Sequence, residues 1–137
     1  MSEWKEALID NLCEVTSSKR IFYEEYVTSG IPFFRSKEII ELSNKQVVST
    51  DLFITKEKFT SINDKFGAPA KDDILLTSVG TLGVPYLVPG TFDFYFKDGN
   101  LTWFRKWKNE INPLFFYWWL KSPLGYQALL DISIGST

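Results

Sequence analysis

Residues 77–83, with the sequence TSVGTLG, form the segment of this chain best suited by composition to hold an anion. Two glycines permit tight backbone turns, and three hydroxyls supply short hydrogen-bond donors and acceptors. Backbone N–H groups in such a loop can cradle a phosphate. The loop is not a P-loop, because no Gly-Lys-Ser/Thr string follows and a strand is predicted next. A plain β-turn with solvated hydroxyls is the alternative, and the loop taken alone favours it.

Eight lysines and arginines fall in predicted loops or at the ends of predicted strands. Such side chains can neutralise phosphates, and arginine can also bind the O6 and N7 atoms of guanine through two hydrogen bonds. A solvated surface position is the better interpretation of any one of them. Because element ends often gather at one edge of a domain, the group as a whole favours an anion-binding face. The eight are Lys19, Arg20, Arg35, Lys37, Lys97, Arg105, Lys106 and Lys108.

The chain contains no histidine and a single cysteine, Cys13. Ser-His-Asp and Cys-His nucleophile systems are therefore excluded, as are histidine and multi-thiolate metal sites. Paired carboxylates at 24–25, 38/41 and 72–73 lack the spacing of an acid/base pair, so solvation or helix capping is the simpler interpretation. The string NPLF at 112–115 is distantly similar to the Asn-Pro-Pro-Tyr motif of amino-methyltransferases, but its third residue is leucine and no glycine-rich cofactor turn precedes it. We predict a non-catalytic protein without a cofactor or metal.

The composition is that of one globular domain with an unusual aromatic content. The 137 residues are 45% hydrophobic, 23% charged and 17% aromatic, enough for a core and for apolar contact surface. The net charge of −2 is mild evidence against nucleic-acid binding, although a basic face can coexist with acidic ends. The lone cysteine, the lack of a long apolar stretch and the lack of a signal peptide predict a cytoplasmic protein.

The predicted strands lie beside these candidate residues. Residues 73–77 form an apolar strand that runs into the glycine loop, and residues 84–88 form another that is limited by its prolines. Residues 31–35 are apolar and extended, but Pro32 argues against a central strand.

The strongest local signal is the pair Asp98-Gly99, which predicts a two-residue turn between the hairpin strands 92–97 and 100–105. In that register one face of the hairpin belongs to the core and the other is free for solvent or a ligand. The core face holds Phe92, Phe94, Phe96, Leu101 and Trp103; the other holds Asp93, Tyr95, Lys97, Asn100 and Thr102.

The predicted helices have recognisable ends. Leu8 to Cys13 form a short helix, and Thr55 caps a longer one through Lys65, which Gly67 follows. The longer helix has Phe59, Ile62 and Phe66 on one face.

Two further helices are predicted near the C-terminus. Asn112-Pro113 and Ser122-Pro123 each combine a cap with a proline at the first helical position, and the second helix extends to about Asp131. Because residues 114–120 are apolar on every side, the first of these helices should be deeply packed. The fold class is α+β: a single compact domain with a twisted, mostly antiparallel sheet or partial barrel and several short helices, two of them at the C-terminus.

Four strings, taken in order, resemble a target-recognition domain of the type I restriction–modification specificity subunit. They are LCEVTSSKR at 12–20, GIPFFRSKEI at 30–39, DILLTSVGTLG at 73–83 and DGNLTWF at 98–104. Residues 133–137 look like the family's hinge, and the resemblance covers essentially the whole chain. Two positions depart from the family pattern: Asp72 stands where glycine is common, and Val84 where a basic residue is common.

The resemblance implies a division of labour. A full specificity subunit has two such domains, joined by helices that form a coiled coil, and each domain reads one half of a split DNA target in the major groove. Modification subunits bind the helices and methylate adenine, restriction subunits add translocation and cleavage, and the specificity subunit catalyses nothing. Residues 1–137 are then expected to be one DNA target-recognition domain that ends where the coiled-coil helix would begin, without the helices that dock these subunits.

Polar and basic residues on loops beside aromatic strands are the expected DNA contacts. Base or backbone contacts are expected from Arg35, Ser36, Lys37, Thr77, Ser78, Gly80 and Thr81, and phosphate or rim contacts from Lys19, Arg20, Lys97 and Asn100. The alternative is an aromatic-rich module that binds carbohydrate or peptide through Trp103, Trp107, Trp118, Trp119 and the tyrosines.

Overall fold

A computed structural model describes residues 11–77, 83–99 and 101–128, and within them the fold is mixed α and β. Seven short strands and three helices follow one another there, with a 3₁₀ turn at Tyr23–Glu25 and a further helical segment over residues 123–128. The elements are β1 (Glu14–Thr16), β2 (Ile31–Phe34), α1 (Ser36–Ser43), β3 (Phe53–Ile54), α2 (Lys56–Phe66), β4 (Ile74–Thr77), β5 (Pro85–Leu87), β6 (Tyr95–Phe96), β7 (Leu101–Arg105) and α3 (Pro113–Lys121).

The strands form two open sheets. The larger has the order β1-β7-β4-β5 and is antiparallel throughout. The smaller has the order β3-β2-β6, antiparallel between β2 and β3 but parallel between β2 and β6. The predicted α+β class with mostly antiparallel strands is confirmed.

The larger sheet is covered on both faces. Leu75 of β4 packs with Trp103 on one face, and Leu76 packs with Phe116 of α3 on the other. All four residues of β4 are therefore buried, as predicted for residues 73–77. The strand predicted at 84–88 is also present as β5, an edge strand that begins at its proline, where a missing N–H is tolerated.

The predicted hairpin about Asp98-Gly99 is wrong. The turn forms, with Gly99 at a φ of 83°, but its flanks enter different sheets: β6 pairs with β2, while β7 pairs with β1 and β4. A two-residue turn fixes only the local chain direction, and each flank finds a partner distant in sequence. As a result Tyr95, predicted to face outward, is fully buried, and Phe92, predicted in the core, is 41% exposed.

The prediction that Pro32 keeps its segment out of a central strand is also wrong, because β2 lies between β3 and β6. The Phe33 N–H donates to the Leu52 carbonyl on the β3 side at 2.9 Å. The nitrogen of Pro32 therefore faces the β6 side, since alternate residues of a strand point opposite ways. The ladder with β6 begins only at Phe33, opposite Tyr95. Pro32 therefore lies at a position where β2 has no backbone N–H to donate to β6, and the pairing of the two strands does not require one.

Helix α2 begins and ends as predicted. The Thr55 hydroxyl accepts the Lys58 N–H at 3.0 Å, and Gly67 closes the helix at a φ of 87°. Phe59 and Ile62 are buried as expected, but Phe66 is 49% exposed at the end of the helix, contrary to the prediction.

Helix α3 is capped as predicted, by the Asn112 side chain, which accepts the Leu114 N–H at 3.0 Å. It is not deeply packed on every side, however: Phe116 is buried, whereas Phe115 is 74% and Trp118 58% exposed. Only one face of the helix meets the larger sheet, so an apolar sequence does not bury the other.

The first and last predicted helices lie partly outside the described residues. The Ser122 hydroxyl accepts the Gly125 N–H at 3.1 Å, which confirms the second cap, but residues 129–137 lie outside the described part. So do residues 1–10; the described end of the predicted helix at Leu8 to Cys13, residues 11–13, is a turn and bend leading into β1.

Candidate nucleic-acid interface

One edge of the smaller sheet gathers residues that are far apart in sequence. Because β2 and β6 run parallel, with Phe34 opposite Phe96, both strands end at the same edge. Arg35, Ser36 and Lys37 follow β2, and Lys97 follows β6. The Lys97 N–H donates to the Phe34 carbonyl at 2.9 Å, which fixes the two exits side by side.

The loop over residues 17–20 is attached to the same edge. The Gly99 N–H donates to the Ser17 hydroxyl at 3.4 Å, and the Arg20 Nε lies 3.3 Å from Asp98 Oδ2. The Lys19 N–H donates to the buried Tyr95 hydroxyl at 2.6 Å, while its amine turns to the Phe66 ring, 4.4 Å from the centroid. We call this surface the basic edge: it comprises Arg20, Arg35, Ser36, Lys37 and Lys97, with Lys19 at its rim.

The glycine loop starts beside the basic edge. Thr77, the last residue of β4, lies opposite Leu101, just past the turn that follows Lys97. The Val84 N–H donates to the Thr77 hydroxyl and the Gly83 N–H to the Thr77 carbonyl, both at 3.0 Å. These bonds hold the two ends of the loop together. Ser78, Gly80, Thr81 and Asn100, all predicted contacts, lie outside the described residues.

Thr77 itself is not a surface residue, contrary to the prediction that it contacts a ligand. Its side chain is fully buried, and its hydroxyl is engaged with the chain that returns from the loop. A buried hydroxyl at this position closes the base of the loop, so Thr77 supports whatever the loop presents.

Arg35 is held by Glu38, a carboxylate for which the sequence predicted only solvation or helix capping. Glu38, one turn into α1, is fully buried and accepts the Arg35 Nε at 3.2 Å and Nη2 at 3.1 Å, as well as the Arg35 backbone N–H at 2.7 Å. These hydrogen bonds raise the pKa of the Arg35 guanidinium, so it stays charged. Glu38 lies three residues after Arg35 at the start of α1, which is the spacing of a capping box. The predicted capping interpretation of Glu38 therefore agrees with the bond from the Arg35 backbone N–H.

Tyr26 is a second residue of this region that the sequence interpretation missed. Its half-buried ring packs against Phe33, with centroids 5.1 Å apart. Burial raises the pKa of its phenol, and the nearby charges of Asp98 and Arg35 act on it in opposite directions. Tyr26 is therefore an un-ionised hydroxyl beside the charged groups of the basic edge.

The cations of the basic edge differ in how far they are neutralised. Arg20 is paired with Asp98, and Arg35 is paired with Glu38. A second carboxylate oxygen, Asp51 Oδ1, lies 4.0 Å from Arg35 Nη2. Among the described residues, Lys19, Lys37 and Lys97 have no carboxylate within salt-bridge distance. The surface therefore combines guanidinium groups that are paired with carboxylates and ammonium groups that have no such partner among the described residues.

The other three basic residues of the predicted group lie elsewhere. They fall at or beyond the far end of β7, where Arg105 lies over the Trp103 ring at 4.2 Å and, like Lys106, is paired with Glu14. Lys108 is bound through its N–H to the Leu12 carbonyl. Of the eight residues that sequence reasoning grouped, five therefore belong to the basic edge and its rim. Arg105 lines one pocket with the rim residue Lys19, and both contact Phe66.

Neither a metal-holding cluster nor a membrane-spanning helix occurs among the described residues. No cluster of three or more acidic, cysteine or histidine side chains over 11–77, 83–99 and 101–128 could hold a metal ion. In the same ranges, none of the helices has the length and apolarity that a membrane span requires.

Sequence comparison places the whole chain in one group of proteins. A family model described as the type I restriction modification DNA specificity domain matches residues 1–137. A Haemophilus influenzae protein assigned as a type I restriction enzyme specificity subunit is 33% identical over 90 residues, which are 65% of this chain and 21% of that protein. The resemblance carried by the four ordered strings is confirmed.

Solved structures share the fold at low sequence identity. The HsdS subunit from Thermoanaerobacter tengcongensis superposes with a TM-score of 0.58 at 12% identity, covering 91% of this chain and 27% of that one. The type I restriction–modification S subunit from M. genitalium gives 0.51 at 22% identity, covering 96% and 30%. The chain thus spans about a fifth of the Haemophilus influenzae protein and under a third of each of these solved subunits.

Proposed function

Because the chain belongs to the family of type I restriction modification DNA specificity domains, we propose that it is a non-catalytic domain that reads one half of a bipartite duplex DNA target. The observation that carries this proposal is the side-by-side exit of the parallel strands β2 and β6, which sets Arg35, Ser36 and Lys37 next to Lys97. Clustered cations of this kind neutralise phosphates, and arginine can also bind guanine O6 and N7 in the major groove.

The residues of the basic edge divide into two roles. Lys37 and Lys97, with Lys19 at the rim, contact phosphates, since an ammonium on a flexible stem acts as a point charge. Arg35 and Ser36 contact base edges, because directional donors carry sequence information. Arg20, Asn100, Ser78, Gly80 and Thr81 are proposed as further DNA contacts, and Thr77 holds the ends of the glycine loop together.

The same proposal extends to partners and location. A type I restriction–modification enzyme needs modification and restriction subunits, and we propose that these dock on helices of a full-length specificity subunit other than the described residues of this domain. We propose a cytoplasmic location because the DNA target is there. Separated from a second recognition domain, this one is expected to bind weakly, since avidity is lost.

A graft tests the recognition claim directly. Residues 1–137 replace one recognition domain of a complete specificity subunit, and methylated adenines are then mapped across the host genome. The expected result is that one half of the methylated sequence changes and the other half stays. A matched graft that carries Lys56→Ala, on the far side of the domain, should give the same new sequence. Methylation sites identical to those of the parent subunit would contradict the proposal.

Carbohydrate or peptide binding through aromatic residues is the alternative, and the family match does not favour it. The exposed face of α3, with Phe115 and Trp118, is the observation that keeps it testable. A salt titration separates the two functions: DNA binding weakens steeply as salt rises, whereas stacking on sugars changes little.

A further inference from the structure

The Arg35–Glu38 pair is built more rigidly than a helix start requires. Glu38 is fully buried, whereas the Arg35 side chain is 43% exposed. Burying a carboxylate is costly unless it is paired and hydrogen-bonded, and here both carboxylate oxygens are used on Arg35. An ordinary N-cap needs only a serine, threonine, aspartate or asparagine at the position of Arg35. The pair therefore fixes the guanidinium as well as the helix.

The way the pair is made decides what Arg35 can still bind. Glu38 accepts hydrogen bonds from Arg35 Nε and Nη2. It therefore occupies the lateral edge of the guanidinium, between these two nitrogens. A guanidinium has five N–H donors in a planar fork. Both N–H groups of Nη1 and one of Nη2 remain for a ligand, so the outer end of the fork stays available. Asp51 Oδ1, at 4.0 Å from Nη2, is too far to hydrogen-bond it.

Charge separates the two ligands that such a fork could bind. Phosphate binding draws on net positive charge and counterion release, but the Arg35–Glu38 pair is neutral as a unit. Guanine O6 and N7 are neutral acceptors that need two aligned donors held in place. A neutral fork held by two hydrogen bonds fits guanine better than phosphate, and the exposed Lys37 beside it supplies the phosphate contact.

We propose that Glu38 is a positioning residue that presents the outer fork of Arg35 to a guanine in the major groove. The inference rests on the proposed DNA recognition and adds to it a base and the residue that orients its reader. Glu38 does not touch DNA. It fixes the angle of Arg35 before binding, so that the arginine loses little freedom on contact.

The experiment is a selection from a duplex library randomised over one helical turn, using the full chain. Wild type, Arg35→Ala and Glu38→Gln are compared, with Glu41→Gln as the control for the same charge change elsewhere on α1. Glutamine keeps an acceptor for the backbone N–H but presents an amide to Nη2. Both test variants should lose the preference for guanine at the same position, by about tenfold or more. Affinity for unrelated duplex should not fall in Glu38→Gln, and Glu41→Gln should match wild type.

Each other outcome overturns a distinct claim. An intact guanine preference in Glu38→Gln would reduce Glu38 to a helix cap. A loss in Arg35→Ala that is equal on all sequences would make Arg35 a phosphate contact, while DNA recognition stands. No enriched sequence with wild-type protein would refute the proposed function itself. If Glu38→Gln does not fold, Arg35→Lys decides: it keeps the charge without the fork, so retained guanine preference would overturn the inference.

Discussion

Lys97 offers the sharpest test of the basic edge, because its side chain is exposed while its backbone is fixed. Its N–H is bonded to the Phe34 carbonyl, so Lys97→Ala leaves the strand exits in place. Three amines of the surface, those of Lys19, Lys37 and Lys97, have no carboxylate partner among the described residues. If each neutralises one phosphate, the logarithm of the binding constant should fall with the logarithm of salt concentration with a slope of about −2.7.

The variant should lose one of these contacts, so its slope should be about −1.8. Between about 50 and 200 mM salt, wild type should lose about 40-fold in affinity and Lys97→Ala about 12-fold. Fluorescence anisotropy with a labelled duplex measures both slopes, and the loss should be the same for every duplex sequence. Lys56→Ala is the control, because Lys56 follows β3 at the opposite end of β2, where Ile31 pairs with Ile54. An unchanged slope in Lys97→Ala, or an equal change in Lys56→Ala, would refute the reasoning.

Three further predictions concern the two ends of β4. The Asp73 carboxylate accepts the Trp103 indole N–H at 2.9 Å. Burial raises the pKa of Asp73 above its usual value of 3.8. The stability that Asp73 contributes is therefore fully present below pH 3.8 and is lost as the pH rises through the folded-state pKa. Asp73→Asn should consequently gain stability relative to wild type between acid and neutral pH in urea titrations, and a constant difference would contradict this. Asp72 has a φ of 73°, so Asp72→Gly should stabilise the fold by about 0.5–1 kcal/mol, as measured by thermal unfolding, and a loss of stability would show that the aspartate side chain matters more than the backbone. Thr77→Val removes the acceptor of the Val84 N–H and should cost about 1–2 kcal/mol in the same assay; no loss would mean that solvent satisfies that donor.

The local signals of the sequence predicted helix ends and buried strands well. Thr55, Asn112 and Ser122 cap their helices as expected, because a capping hydrogen bond involves residues only two or three apart. The backbone at Asp72 gives a physical reason for the glycine that the resemblance implies at this position. A left-handed φ suits glycine, and aspartate is among the residues that tolerate it.

The long-range pairings could not be predicted from local signals. The turn at Asp98-Gly99 has the sequence of a hairpin turn. That local sequence does not indicate that β6 pairs with β2, or that β7 pairs with β1 and β4. The same limitation hid the exposed face of α3, since an apolar sequence does not reveal how many sides of a helix are covered.

The candidate DNA contacts could be predicted only in part from the sequence. Basic residues at strand ends suggested a common face, and the parallel pair β2 and β6 brings Arg35 and Lys97 together. The burial of Glu38 and its two hydrogen bonds to the Arg35 guanidinium could not be predicted, because they depend on how the start of α1 packs in the fold. DNA contact by these residues stays a prediction.

The pairing of β1 with β7 joins residues 14–16 to residues 103–105, and this has a consequence for how the domain is made. The larger sheet cannot form in full until residues 14–16 have met residues 103–105, and loop-closure entropy makes such distant pairing slow. In a growing chain that has not yet released β6 and β7 from the ribosome, β2 can pair with β3 but lacks the parallel strand that sets Lys97 next to Arg35 and Lys37. The basic edge should therefore emerge in a late, cooperative step, and a partly synthesised chain should have little affinity for DNA.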